Sequence, residues 1–122
     1  MKIQESAEMY LETILVLSQK HPQVRSIDIA ETLGYKKPSV SVAMKNLREN
    51  GYIAVDGDGF IALTDKGRQI AETMLERHTV LSDWLESLGV ARGIAVADAC
   101  RIEHVISPES FAAIKKLPRK SG

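Results

Sequence analysis

The sequence has a single cysteine, few aromatic residues and no net charge. One cysteine cannot form an intramolecular disulfide, which is typical of a chain that stays in a reducing cytoplasm. No apolar run approaches the roughly 20 residues of a membrane span, and the first residues lack the apolar core of a signal peptide. We therefore expect a cytoplasmic protein without membrane association. Because 16 basic and 16 acidic residues cancel, any nucleic-acid-binding surface must come from the local distribution of charge.

The first half of the chain has the pattern of a helix-turn-helix followed by a hairpin. Apolar residues at helical spacing predict a helix from Ser6 to about Lys20. Two shorter helices are expected over residues 26–33 and 38–50, the first with Ser26 as its N-cap. Two short apolar runs around an Asp-Gly turn at residues 56–59 predict a β-hairpin. This order of elements is that of a winged helix.

The second half is predicted to be helical throughout. Thr64 can cap a long helix that ends at Gly89. Another helix is expected from about Gly93 to Ile106, and Ser107-Pro108 suits the start of a last one. These helices exceed what a winged helix needs, so their apolar residues are available for the monomer core or for a partner chain.

The second helix of the helix-turn-helix has a concentrated positive charge. The stretch from Lys36 to Arg48 contains four basic residues and no acidic one, a net +4 in a neutral protein. The helix N-terminus adds free N–H groups that bind phosphate, and small polar side chains can reach base edges. The residues predicted to face double-stranded DNA are Arg25, Ser26, Lys36, Lys37, Pro38, Ser39, Ser41, Val42, Lys45 and Arg48. A face that is merely solvated, or a winged helix that binds protein, is the alternative interpretation.

The string Cys100-Arg101-Ile102-Glu103-His104 predicts a metal site. Positions i, i+3 and i+4 share one face of a helix, so a thiolate, a carboxylate and an imidazole would point together. That donor mixture suits Fe(II), Zn(II), Co(II) or Ni(II). Met9 and Glu12, three residues apart on the first helix, are further candidate donors. A metal that joined the two segments would make DNA affinity depend on metal, although each residue also has an ordinary explanation as a packed side chain.

The chain resembles the diphtheria-toxin-repressor family of metal-dependent, iron- and manganese-sensing transcriptional regulators. The resemblance extends over about residues 6–117, and five strings carry it. They are Glu8-Met9-Tyr10-Leu11, Ile29-Ala30-Glu31, Pro38-Ser39-Val40-Ser41, Leu63-Thr64-Asp65-Lys66-Gly67-Arg68 and Ala99-Cys100-Arg101-Ile102-Glu103-His104-Val105-Ile106-Ser107. The last string is the most specific. Members of this family are homodimers that bind operator DNA when loaded with Fe(II) or Mn(II).

The resemblance implies a mostly α fold with two domains. A winged helix-turn-helix DNA-binding domain is expected over residues 1–72, and a helical metal-binding and dimerisation domain over residues 73–122. The SH3-like third domain of the longer iron-type members is expected to be missing.

The resemblance also implies a set of metal ligands: Met9, Glu12, His78, Cys100, Glu103 and His104. Four of them match the iron-sensing branch, whereas Glu12 and His78 match the manganese-sensing branch, which uses a two-metal cluster. The soft thioether and thiolate favour Fe(II), with Mn(II) second and Co(II), Ni(II) or Zn(II) as substitutes.

Other functions stay open at this point. A manganese-responsive regulator with a binuclear site, or a metal-independent winged-helix protein, would have the same first half. An enzyme with Cys100 and His104 as nucleophile and base is disfavoured, because the sequence has no Gly-rich phosphate loop and little chain left for a substrate pocket. We expect a repressor of metal-homeostasis genes that binds operator DNA as a homodimer and takes no small-molecule substrate.

Overall fold

A computed structural model describes residues 5–117 of the chain, which form helices and one small antiparallel sheet. In chain order the elements are α1 (Glu5–Lys20), α2 (Ser26–Leu33), α3 (Lys37–Glu49), β1 (Ile53–Val55), β2 (Ile61–Leu63), α4 (Asp65–Ser87), α5 (Arg92–Ile102) and α6 (Pro108–Lys115). The chain divides into two compact units, Met1–Glu72 and Thr73–Gly122. None of the helices between residues 5 and 117 combines the length and the apolar content that crossing a bilayer requires.

The core of the first unit comes from one apolar stripe on each of its helices. Leu11 and Ile14 of α1 and Ile29 of α2 are completely buried. On α3 the spacing of four and three predicts that Val40, Met44 and Leu47 form its buried stripe, and all three are buried. Burial of this stripe leaves the opposite face of α3 exposed.

The hairpin forms the wing. Its two strands pair antiparallel, with Ile53 opposite Leu63 and Val55 opposite Ile61. Ile53 and Ile61 are buried while the next residue of each strand is exposed, as expected when one face of a sheet covers a core. The predicted winged helix-turn-helix is therefore confirmed.

The start of α2 differs from the prediction. Ser26 is the first helical residue, and Arg25, in an extended conformation, holds the N-cap position. The Arg25 backbone N–H donates to the Asp28 carboxylate at 2.8 Å. An acidic side chain at the third helical position thus satisfies the cap residue's amide, and a hydroxyl cap is not needed.

The second unit is held by a smaller apolar cluster. Val80 and Leu81 of α4, Ala99 of α5 and Phe111 of α6 are buried together. Partly buried apolar side chains pack around them: Trp84, Ile102, Ile106 and Ile114.

Helix α5 is shorter than predicted, because it ends at Ile102 and not near Ile106. Pro108 excludes Ser107 from the helix, since proline drives the residue before it out of the helical region. Ser107 is accordingly extended, with φ −71° and ψ 154°, and caps α6 by accepting a hydrogen bond from the Ser110 N–H at 3.1 Å. The chain therefore leaves the helix through a turn that contains Glu103 and His104.

Candidate metal centre and nucleic-acid interface

The exposed face of α3 carries most of the residues predicted to meet DNA. Lys36 is the N-cap residue and Pro38 lies in the first turn. The side chains exposed along this region are Lys36, Lys37, Pro38, Ser39, Ser41, Val42, Lys45 and Arg48. Val42 is 60% exposed, so its methyl groups are available to contact a thymine methyl.

Arg25 belongs to the same unit but is directed at the wing. Its guanidinium carbon lies 4.4 Å from the centre of the Phe60 ring, a cation–π contact. The Ile61 N–H donates to the Val24 carbonyl at 2.7 Å and joins the same segment to β2. Ser26, the other predicted DNA contact here, is half-buried.

Residues that the sequence indicated only as a helix cap or as part of a family string also fix the C-terminal end of α3. The Thr64 hydroxyl donates to the Gly51 carbonyl at 2.7 Å and accepts from the Gly67 N–H at 3.2 Å. The Lys66 ammonium donates to the Asn50 carbonyl at 3.3 Å and lies 4.4 Å from the centre of the Tyr52 ring. The string from Leu63 to Arg68 was the available signal, because its hydroxyl, lysine and glycine are the groups that make these contacts.

Two candidate metal donors lie on α1, and both are half-buried. The Met9 sulfur accepts a hydrogen bond from the Tyr35 hydroxyl at 3.7 Å, and Glu12 follows one turn later. Burial, together with the nearby Tyr35, raises the pKa of Tyr10 above its ordinary value. Tyr10 therefore stays neutral at physiological pH and does not add a phenolate to the donors of this helix.

Glu103 is the central residue of the candidate metal centre in the second unit. Its side chain is completely buried, and its Oε1 lies 3.2 Å from Nδ1 of His78 on α4. Its Oε2 is also buried and has no hydrogen-bond partner among residues 5–117. A carboxylate oxygen of Glu103 and a ring nitrogen of His104 lie within 4.8 Å of one another.

Cys100 lies in the last turn of α5 and is exposed, in contrast to Glu103. Among residues 5–117 it does not join Glu103 and His104 as a third donor within 4.8 Å.

The donors of the second unit fit a divalent metal ion. A buried carboxylate oxygen without a hydrogen-bond partner is costly, and a bound cation removes that cost. The neighbouring imidazoles of His78 and His104 are the nitrogen donors that borderline divalent metals prefer. The orphaned oxygen of Glu103 is therefore explained by a metal better than by packing alone.

Comparison with known proteins identifies both units. The iron-dependent repressor N-terminal DNA-binding domain matches residues 2–59, and the iron-dependent repressor metal-binding and dimerisation domain matches residues 64–120. The transcriptional regulator MntR of Escherichia coli O6:H1 is 32% identical over 118 residues, which are 97% of this chain and 76% of MntR. This chain belongs to the diphtheria-toxin-repressor family.

Two further comparisons agree with membership of this family. The iron-dependent repressor IdeR of Mycobacterium bovis is 32% identical over 114 residues, which are 93% of this chain and 50% of IdeR. The structure of a manganese-dependent transcriptional repressor in complex with manganese superposes with a TM-score of 0.81 at 29% identity, covering 88% of this chain. The chain spans about half of the length of these two relatives.

The named relatives of this family member divide between manganese and iron. The solved manganese-dependent repressor is 29% identical to this chain and the iron-dependent repressor IdeR is 32% identical. Similarity alone therefore gives no preference for one metal, and the donor atoms must supply it.

Proposed function

We propose that this protein is a cytoplasmic, homodimeric repressor that binds double-stranded operator DNA of metal-homeostasis genes when it holds a divalent transition metal. The observation that carries the proposal is the buried Glu103 carboxylate, which lies beside two histidines. One of its oxygens has no hydrogen-bond partner in the described part of the chain. Family membership adds the class of function, because the named relatives are transcriptional regulators. The role is regulatory and not catalytic.

The DNA-binding part of the proposal rests on α3. Its exposed face carries Lys45 and Arg48, outside the buried stripe, with Lys36 and Lys37 at its N-terminus. Lysine and arginine contacts to phosphate fix the position of a recognition helix, and the exposed Ser39 and Val42 can read base edges in the major groove. A helix-turn-helix that binds as a dimer reads two half-sites about one helical turn apart.

The homodimer is supported by exposed apolar side chains of the second unit. Leu88, Ile94 and Val105 are 65%, 59% and 74% exposed, respectively. Exposed large apolar side chains favour burial against another chain. The part of the chain that contains them matches a metal-binding and dimerisation domain.

The proposed metal ligands are Met9, Glu12, His78, Cys100, Glu103 and His104. We propose Fe(II) first, because a thioether and a thiolate are soft donors, and Mn(II) second, because Glu12 adds a hard carboxylate. When bound, the metal supplies positive charge and fixed coordination geometry. We propose that metal binding and DNA binding are linked, so that each raises the affinity of the other.

The first test is a neutral, nearly isosteric change of the central ligand. Duplexes are selected from a random-sequence library by the wild-type protein with Mn(II), or anaerobically with Fe(II). We expect Glu103→Gln to weaken Mn(II) binding by more than about tenfold, since second-shell changes alone cost about 10–100-fold. Metal should then no longer raise the affinity of the variant for the selected duplex, as measured by fluorescence anisotropy.

Glu109→Gln is the matched control. Glu109 is an exposed glutamate in the first turn of α6 and is not among the proposed ligands. The Glu109→Gln variant loses the same charge as Glu103→Gln, but at an exposed position away from the proposed ligands. Its metal and DNA affinities should therefore stay within about twofold of wild type. Wild-type protein that binds a duplex equally well with Mn(II), with Fe(II) and with a chelator would contradict the proposal and leave a metal-independent winged-helix protein.

A further inference from the structure

Arg77 on α4 reaches the turn that contains the two central ligands. Its Nη1 donates to the Glu103 carbonyl at 3.0 Å and to the Ile106 carbonyl at 3.1 Å. The guanidinium carbon lies 5.7 Å from the centre of the Phe111 ring, which restricts the side chain on a third side. Arg77 therefore spans both ends of the segment in which His104 lies.

These carbonyls need a partner from another element. The last carbonyls of a helix have no intrahelical donor, and α5 ends at Ile102. The Ile102 carbonyl accepts from the Val105 and Ile106 N–H groups, each at 3.0 Å, so these two donors are already used. Pro108 has no N–H, and the extended Ser107 cannot continue the helix. Arg77 thus supplies the donors that a longer α5 would have supplied.

The contacts of Arg77 leave the side chain of Glu103 available to bind a metal ion. Its hydrogen bonds go to the main-chain oxygens of Glu103 and Ile106 and not to the Glu103 carboxylate. That carboxylate has His78 at Oε1 and, within the described residues, no hydrogen-bond partner at Oε2. An arginine bound to the carboxylate would compete with a cation, whereas one bound to the main chain can hold the ligand without neutralising it.

We propose that Arg77 is a positioning residue for the metal centre. It holds the turn from Glu103 to Ile106 so that the Glu103 carboxylate and the His104 imidazole are in place before metal binds. Arranging ligands in advance lowers the ordering cost at the moment of binding and so raises affinity. This inference rests on the proposed function, since it assigns Arg77 a role in the same metal site.

The experiment compares three variants of the full chain in metal-free and Mn(II)-bound form. Arg77→Met keeps most of the apolar stem and removes the donors, and Arg77→Lys keeps the charge but loses the planar fork. Arg92→Met is the matched control, because Arg92 lies in the same unit and its contacts are exposed ion pairs with Asp83 and Glu86. The readouts are the Mn(II) dissociation constant by calorimetry and hydrogen exchange of residues 99–107 in the metal-free protein.

We expect Arg77→Met to weaken Mn(II) binding by about 10–100-fold and to speed exchange in this segment. Arg77→Lys should fall between Arg77→Met and wild type, and Arg92→Met should stay within about twofold of wild type. Circular dichroism establishes that each variant is folded at the temperature of the titration. If Arg77→Met does not fold, Arg77→Lys alone decides, by the same two readouts.

The proposal is overturned if the folded Arg77 variants bind Mn(II) with wild-type affinity. It is also overturned if their only change is a lower melting temperature, which is what a purely structural role would give. Failure of the proposed function has a different signature, because wild-type protein would then bind neither Mn(II) nor Fe(II). In that case the exchange of residues 99–107 still decides whether Arg77 holds the turn.

Discussion

At the scale of single residues, the buried carboxylate of Glu103 is the feature that most needs a physical explanation. Burying an ionised carboxylate costs several kcal/mol unless charge or hydrogen bonds compensate it. His78 lies 3.2 Å from one oxygen, and the other oxygen has no hydrogen-bond partner in the range that the structure describes, residues 5–117. A chain that keeps such a group gains from a cation there, which is why the metal centre and not the helix surface is the basis of the functional proposal.

Gly67 offers a stability prediction that is independent of metal. A Cβ at this position would lie 2.0 Å from the Tyr52 carbonyl oxygen, a main-chain atom that cannot move aside easily. We expect Gly67→Ala to lower the free energy of unfolding by about 1–3 kcal/mol, as overpacking does, measured by urea denaturation.

Gly93→Ala is the control for this change. Gly93 is also helical, but a Cβ there would meet nothing within 4 Å. Alanine has the higher helix propensity, so this variant should be as stable as wild type or slightly more stable. Equal loss of stability in both variants would contradict the close approach of α4 to Tyr52.

Some residues of the candidate metal centre could be predicted from the sequence and others could not. Spacing along the chain singled out Glu103 and His104, because both follow Cys100 within one helical turn. Arg77 could not be found this way, since its acceptors are main-chain carbonyls 26 and 29 residues away, at Glu103 and Ile106. A side chain that binds main chain across such a distance leaves no pattern in the sequence.

At the scale of elements, the number, type and order of the helices and strands follow from apolar periodicity and turn residues. The ends of the elements do not, because they depend on contacts that periodicity ignores. Helix α5 stops at Ile102, well before Pro108, and α2 begins after Arg25 because Asp28 caps it from inside the helix. These shifts of a few residues matter, since the first of them places Glu103 and His104 in the turn that follows α5.

Helix α3 yields a prediction about phosphate contacts. Lys45 lies on its exposed face, and each phosphate neutralised by a lysine contributes about 0.9 to the slope of log affinity against log salt concentration. Lys45→Ala should therefore weaken binding of all duplexes similarly and reduce that slope by about 0.9. The measurement is anisotropy of the selected duplex and of an unrelated duplex at several salt concentrations.

Lys20→Ala is the corresponding control, because Lys20 is exposed in the last turn of α1 and outside the predicted DNA-facing set. Its salt slope should equal that of wild type. An unchanged slope for Lys45→Ala would remove Lys45 from the phosphate contacts, and an altered slope for Lys20→Ala would extend the interface to α1.

At the scale of the whole molecule, charge is balanced overall and unbalanced locally. The net charge is zero, yet the stretch from Lys36 to Arg48 carries four basic residues and no acidic one. Under the proposed function, a neutral net charge keeps the non-specific attraction to DNA weak, so that metal binding can control DNA affinity. A strongly basic protein would bind DNA with or without its metal. The match of one unit to a DNA-binding domain and of the other to a metal-binding domain agrees with control of DNA binding by metal.

The central claim is that metal and DNA binding are linked within one molecule, and thermodynamic reciprocity tests it most directly. The dissociation constant of the selected duplex is measured with saturating Mn(II) and with chelator. The dissociation constant of Mn(II) is measured with and without the duplex. We predict the same factor in both comparisons, within the range of about 5–150-fold that is typical of such coupling. A factor of one in both would contradict the account, whatever the affinity for metal or DNA alone.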